Sequence, residues 1–337
     1  MENISLADAL QPASFHEETD EGSRLFLTPW QMVARRFFSN RMALFGMAVL
    51  IVIALFSFAG PLFYAYSESE LFYIDKETGE ELRTTGDSAR LATSTLASLQ
   101  KPSLRHILGT NRLGQDMLAR LMYGGRVSLL VGFVVVFVEL LLGILLGGLA
   151  GYYRGLVDSV IMRVVDIISS IPLIPLMLIM SSLLITLQIS TQHKIYVTMF
   201  ILGALYWTGV SRMVRGSILS LREMEFMQAA DATGIRASNK IFHHLIPNML
   251  PNLIVLATLD LGGIILLEST LSFLGVGVGA PYASWGNMVS TVNDSEIMQH
   301  FPHVWVAPGI CILIVVLAFN FVGDGLRDAT DPRMKGR

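Results

Sequence analysis

Long apolar runs recur along the chain at residues 42–63, 127–152, 164–187, 196–213, 250–271 and 304–322. Inside a bilayer no water is present to satisfy backbone N–H and C=O groups, so only helices and closed barrels can cross it. A tilted strand crosses in roughly 9–11 residues, whereas a helix needs about 20. Runs of this length therefore read as helices, and the fold class is an all-α polytopic membrane protein with six transmembrane helices. Composition agrees, with 53% hydrophobic and only 15% charged residues and a mean hydropathy of +0.56. The formal net charge of −3 offers no basic excess for nucleic acid. The single Cys311 excludes an intrachain disulfide framework.

Orientation follows from arginine and lysine, which accumulate on the cytoplasmic side of short loops. With residues 1–41 inside, the cytoplasmic segments hold Arg35, Arg36 and Arg41, then Arg154 and Arg163, then Arg212, Arg215, Arg222, Arg236 and Lys240, and finally Arg327, Arg333, Lys335 and Arg337. The short outer loops hold only Lys194. Both termini are thus expected in the cytoplasm. The acidic residues 1–28 do not resemble a cleavable signal peptide.

These spans set the expected organisation. Residues 1–41 are a cytoplasmic segment, 42–66 the first span and 67–126 an extracytoplasmic loop. A transmembrane domain occupies 127–325, with a polar cytoplasmic insert at 216–249, and 326–337 form a cytoplasmic tail. In the outer loop, residues 75–81 read as a hairpin or turn. Leu113, Met117, Leu121 and Met122, beside Arg112, Asp116, Arg120 and Arg126, predict an amphipathic helix over 105–128 at the outer interface. Pro172 and Pro175 break the third span, which is expected inside the bundle, where neighbours can satisfy the freed carbonyls.

The insert between the fourth and fifth spans holds the most specific signal. Ala229, Ala230 and Ala232 favour helix and keep side chains short for a partner surface. Gly234 permits a left-handed turn before a second short helix capped by Ser238. Glu225 suits a helix N-terminus. Pro247 ends the module, and Pro251 falls in the first turn of the next span. Arg212 and Arg215 read as solvated interface anchors.

With Glu225, Ala229, Ala230, Gly234, His244 and Pro247 at these positions, the stretch resembles the EAA loop of ABC-importer permeases. Further segments are similar to one subfamily, the "C" permease of dipeptide and oligopeptide import systems. They are the run from His106 to Leu129, Gly151 to Asp158 with Met162 and Arg163, Leu271 to Gly275 with Ser284 to Gly286, and Asn320 to Asp328 with Asp331 and Pro332. Asn111, Gln115 and Glu139 depart from the pattern. The resemblance implies a type I ABC-importer permease fold in a bacterial inner membrane. Its implied partners are a homologous second permease, two ABC ATPases and an extracytoplasmic substrate-binding protein. Docking of one ATPase is implied through the six residues just named.

No lysine here sits in a P-loop, Gly-x-x-x-x-Gly-Lys-Ser/Thr. ATP and Mg therefore belong to partner subunits, and the chain is expected to be a permease and not an enzyme. His243 and His244 point in different directions on a helix and do not make a metal site.

Acidic groups within spans are expected to face protein or water. Asp166 is expected to pair with Arg163, three residues away. Asp260, Glu268 and Ser269 are candidates either for the transport pathway or for helix packing. Glu139 is assigned a contact with the second permease. Nickel chelates, glutathione and antimicrobial peptides remain alternative cargoes. An ion-coupled secondary transporter is the rival from another class, and it requires internal repeats that are not visible.

Overall fold

Asn40 fixes the start of the first span, its side chain accepting from Met42 N at 3.0 Å and Ala43 N at 3.2 Å. It separates α1 (Pro29–Ser39) from α2 (Arg41–Phe58), and Gly60-Pro61 then allows only a short α3 (Gly60–Phe63). The chain is described here by a computed structural model covering residues 29–83 and 94–330. The expectations for residues 1–28 and 331–337 lie outside the described residues.

Beyond α3 a small antiparallel sheet forms from β1 (Phe72–Ile74), β2 (Glu81–Arg83) and β3 (Thr95–Leu96), in the order β2-β1-β3. Phe72 pairs with Arg83 and Tyr73 with both Leu82 and Leu96. The expected turn at 75–81 is the β1–β2 connection, closed by Asp75 N to Glu80 O at 2.9 Å.

Helix α4 (Met117–Tyr153) starts where Asp116 accepts from Ala119 N at 2.7 Å. The separate interfacial helix expected over 105–128 does not form. Residues 105–116 are loop and turn, and 117–128 are the first turns of α4. The charged stripe that suggested an interface is answered by protein instead. Arg120 is buried and donates to Gln115 Oε1 at 2.8 Å and to the carbonyls of Glu68 and Pro281 at 3.2 and 3.4 Å.

Then follow α5 (Gly155–Ser169), α6 (Leu173–Thr186), α7 (Thr191–Leu221), α8 (Glu225–Ala232), α9 (Ala237–Asn239), α10 (Ile246–Phe273), α11 (Trp285–Val289), α12 (Ser295–His300) and α13 (Pro302–Thr330). Helices α2, α4, α7, α10 with its lead-in, and α13 are each long and apolar enough to cross a membrane. Helices α5 and α6 supply a sixth span if counted together, bent by 78° at the break.

The tightest contact joins α4 and α7. Gly143 and Gly147 lie one turn apart, and a Cβ on Gly147 would come 2.5 Å from Ser211 O. Small residues at this spacing let backbones approach, which is how helices associate when lipid supplies no hydrophobic drive. Val131, Val135, Leu202, Ile264, Ile265, Trp285, Val315 and Phe319 fill the space between α4, α7, α10, α11 and α13.

The broken helix is not inside the bundle. In α5 only Val165 is buried, and in α6 only Met177 and Leu184. The carbonyl freed by Pro172, Ile168 O, is met locally by Ile171 N at 3.1 Å. Packing against neighbouring helices is not required for that, so the pair can lie on the rim.

Phe37 and Ala43 pack with Ala329 of α13, so the two ends of the described chain lie on one side. Arg327 and Thr330 meet Met213 and Ser217 of α7 there. This is the inner, basic end. Residues 58–83, 94–126 and 275–301 lie at the opposite end.

Candidate functional site

The polar insert folds as a short arm laid across the inner end. Met227, Ile241, Leu245 and Met249 are buried against Val210, Val214 and Ile218 of α7. In α8 the stripe Met227–Ala230 therefore points inward, and Glu225 and Ala229, four residues apart, share the exposed face. Of the paired alanines expected to meet a partner, only Ala229 is available; Ala230 seats the arm on its own spans.

Gly234 has φ +70°, and a Cβ there would meet nothing within 4 Å, so the backbone conformation alone calls for glycine. The following turn α9 begins after Arg236 and lacks the side-chain cap expected from Ser238. Lys240–Leu245 then form a π-helical turn that runs straight into α10. Pro247 consequently occupies the first turn of α10, not the end of the module, and Pro251 lies within the helix. Both prolines sit past a junction already relaxed into wider turns.

Lys240 buries its stem and pairs with Asp231 across the Gly234 turn. That hydrogen bond holds the Asp231 carboxyl below the usual aspartate range. The exposed side of the arm carries large apolar groups: Met224, Phe226 and Phe242 are 50%, 38% and 55% exposed. Glu225, Ala229 and Pro247 are exposed beside them, whereas His244 is half-buried and its carbonyl accepts from Asn248 Nδ2 at 2.6 Å.

Arginines on and just past α7 tie it to α5 and to the end of α4. Arg215 forks onto Asp158 at 2.5 and 2.6 Å, and Arg222 donates to Tyr152 O and stacks on the Tyr152 ring at 5.1 Å. Arg212 bonds Asp166 at 3.0 Å, so the expected Asp166–Arg163 pair is replaced by one between helices. The carboxylate reaches the neighbouring helix in preference to its own turn. Arg212 and Arg215 thus stay partly solvated, as expected, but each also pairs with a carboxylate across helices.

Among the acids within spans, Glu268 is held by serines. Ser128 Oγ donates to it at 2.9 Å and Ser272 Oγ at 2.7 Å. Ser128 also accepts from Trp285 N at 3.3 Å, and Trp285 Nε1 donates to Leu121 O at 3.0 Å. Glu268 thereby joins α4, α10 and the outer loop. Ser269, next to it, is buried with no partner for its hydroxyl, beneath Gly286. Glu139 does not reach a second subunit. It is 1% exposed within the chain, and its carboxyl faces that of Asp260.

At the outer end, His106 lies between Asp116 (Nδ1 to Oδ2, 2.7 Å) and Glu81, and Tyr64 donates to Asp116 at 3.2 Å. Burial opposes a charge on His106, but the two hydrogen-bonded carboxylates outweigh it and raise its pKa. By sequence Asp116 falls on the polar face of a helix over 105–128, whereas in the fold it caps the start of α4; its link to His106, Glu81 and Tyr64 was not legible, because those partners come from separate stretches of chain.

Comparison with known proteins matches this architecture. Residues 143–336 fit the family described as binding-protein-dependent transport system inner membrane component, and residues 28–78 fit the N-terminal TM domain of oligopeptide transport permease C. The oligopeptide transport system permease protein OppC of Escherichia coli is 37% identical over 304 residues, 90% of this chain and 91% of its own length. The OppC of Bacillus subtilis is 32% identical over 99% of this chain and 100% of its length. The dipeptide transport system permease protein DppC of Alkalihalophilus pseudofirmus is 36% identical, with 92% and 91% covered. A component of such a system works with a binding protein and an ATPase and is not itself catalytic. The chain, with its five or six spans and its inner arm, belongs to the family of inner-membrane components of binding-protein-dependent transport systems.

Proposed function

We propose that this chain is one of two homologous permease subunits of an ATP-driven importer of oligopeptides or dipeptides, and that residues 225–247 receive the stroke of an ATPase subunit. The peptide cargo is supported by the relatives, which carry oligopeptide or dipeptide transport in their names. Two ATPase subunits, one on each permease, bind ATP and Mg, and an extracytoplasmic binding protein delivers substrate to the outer end. The exposed rim of α5 and α6 is the face offered to the second permease.

One observation carries the coupling role. A short helix exposes Phe226 and Ala229 on one face and is anchored by Met227 and Ala230 on the other, with Phe242 exposed alongside. Apolar anchors on a rigid short element are what a groove on a partner can grip, and such aromatic groups dominate binding energy. Glu225 and Gly234 complete that surface, the first by charge and the second by its turn. His244 and Pro247 connect the arm to α10, so displacement of the arm is passed into the span.

The test is Ala229→Trp, which adds bulk on the exposed face without disturbing the buried stripe. Peptide uptake should fall at least about tenfold, in the range of an interface hot spot. Insertion and co-purification with the second permease should persist, and ATP hydrolysis should no longer respond to substrate. Uptake at the wild-type rate would remove the coupling assignment.

A further inference from the structure

We propose that Glu139 of α4 and Asp260 of α10 form a binding site, within the membrane, for a single positively charged amine. The proposal rests on the peptide-import reading for its physiological ligand, the protonated amino group of a passing peptide.

Glu139 is 1% exposed, and neither of its carboxyl oxygens has a hydrogen-bond donor. Every other buried acid named above is answered: Glu268 by two serines, Asp116 by a backbone N–H, His106 and Tyr64. What Glu139 faces is a second carboxyl, that of half-buried Asp260. Two ionised carboxylates contain no donor between them, so the pair is held by one shared proton when it is empty, and a positive group bearing hydrogens can take that proton's place. The nearest further titratable group is Tyr206 of α7, which lies within electrostatic reach of both. Among the described residues, no arginine, lysine or histidine acts on either acid.

The surroundings give this site access. Tyr206 is 36% exposed and borders a depression of about 340 Å³ shared with Ile168, Ser169, Ile171 and Leu173, at the break between α5 and α6. Sites for charged cargo in membrane proteins gather beside broken helices, where irregular backbone lines water. Tyr206 is the link between this depression and the two acids, since it borders the one and lies within electrostatic reach of the others.

The chemistry of the pair selects the ligand. Divalent cations such as calcium take six to eight oxygen ligands. Among the described residues there is no group of three or more acids, histidines or cysteines that could supply such a shell. An ammonium group brings one charge and three N–H donors, which matches two acceptors on opposite helices and leaves a third donor for Tyr206 or water.

The experiment uses the assembled transporter carrying Tyr206→Cys in a Cys311→Ser background. Thiol modification by 2-aminoethyl methanethiosulfonate, a primary ammonium, is compared with that by the anionic 2-sulfonatoethyl reagent, with and without ATP. The cationic reagent should react about tenfold faster or more, as expected where walls of one charge concentrate counter-ions. Adding Glu139→Gln and Asp260→Asn should bring the ratio near one. A ratio untouched by those two changes, or no reaction in either nucleotide state, overturns the site. In the chain with native Tyr206 and Cys311, Glu139→Gln with Asp260→Asn should cut peptide uptake about tenfold, the loss that accompanies about 1.4 kcal/mol, while insertion and ATPase assembly hold. Unchanged uptake overturns the amine role. If the native transporter moves no peptide while the Tyr206→Cys transporter shows the thiol ratio, the import reading is refuted and the cation site stands.

Discussion

At the outer end Asp116, His106, Arg120 and Glu268 are closed off from water, each spending its hydrogen bonds on several elements at once. At the inner end Arg212 and Arg215 each pair with one carboxylate only, with side chains 50% and 34% exposed, and leave Phe226 and Phe242 uncovered. Buried, multiply bonded groups are costly to separate, because each broken bond leaves an unpaired polar atom. Partly exposed ion pairs exchange one hydration for another at little cost. The outer layer is therefore a rigid cap, and the inner end is held by partly exposed ion pairs that can rearrange at little cost.

The sharpest way to break that contrast is Asp116→Ala. It removes the cap of α4 and strands His106 and Tyr64. A lost N-cap costs about 1 kcal/mol, and each unpaired buried group a further 1–3 kcal/mol. The outer end should lose roughly 3 kcal/mol or more. Hydrogen exchange on residues 64–83 and 95–120 should accelerate strongly while 222–249 stays unchanged. Equal exchange at both ends would show that the two regions form one cooperative unit.

A smaller effect should come from pH. The folded pKa of His106 lies above its ordinary value of about 6.5. Its protonated form thus binds the fold more tightly than the unfolded chain, and this stabilisation is complete below that ordinary value. It is lost as pH rises through the raised folded value. Outer-end exchange should accelerate over that window, and His106→Gln should abolish the dependence. A window that survives His106→Gln would point to Glu68, whose carboxyl is pushed up by burial.

Much of this contrast was legible in the sequence. The apolar runs gave the spans, the basic residues gave the inner end, and Glu225, Ala229 and Gly234 marked the arm. What sequence did not show depends on long-range meetings. Ala229 and Ala230 look equivalent until α8 is rolled onto α7, when one is buried. Arg163 is the nearest cation to Asp166 along the chain, but Arg212 reaches it across helices. The charge stripe from Arg112 to Arg126 suggested water on one side, where the fold supplies Gln115, Glu68 O and Pro281 O. Helix α1 escaped notice although Trp30, Val33 and Phe37 recur at helical spacing, because residues 1–41 read together as one cytoplasmic segment.

The smallest stability change should follow Arg215→Gln, and it separates latch from scaffold. Arg215 and Asp158 join α7 to α5 just above the arm, through a geometry as good as any ion pair in the chain. Good geometry alone would suggest a large loss. Exposure argues otherwise, since water can re-solvate both groups, and pairs of this kind contribute about 1 kcal/mol or less. Thermal stability and outer-end exchange should therefore hardly move. Transport should still fall several-fold, because the stroke of the arm would reach α7 without being passed to the broken helix. A large loss of stability with proportionate loss of uptake would make Arg215 a structural brace, and the inner end would then be as rigid as the outer.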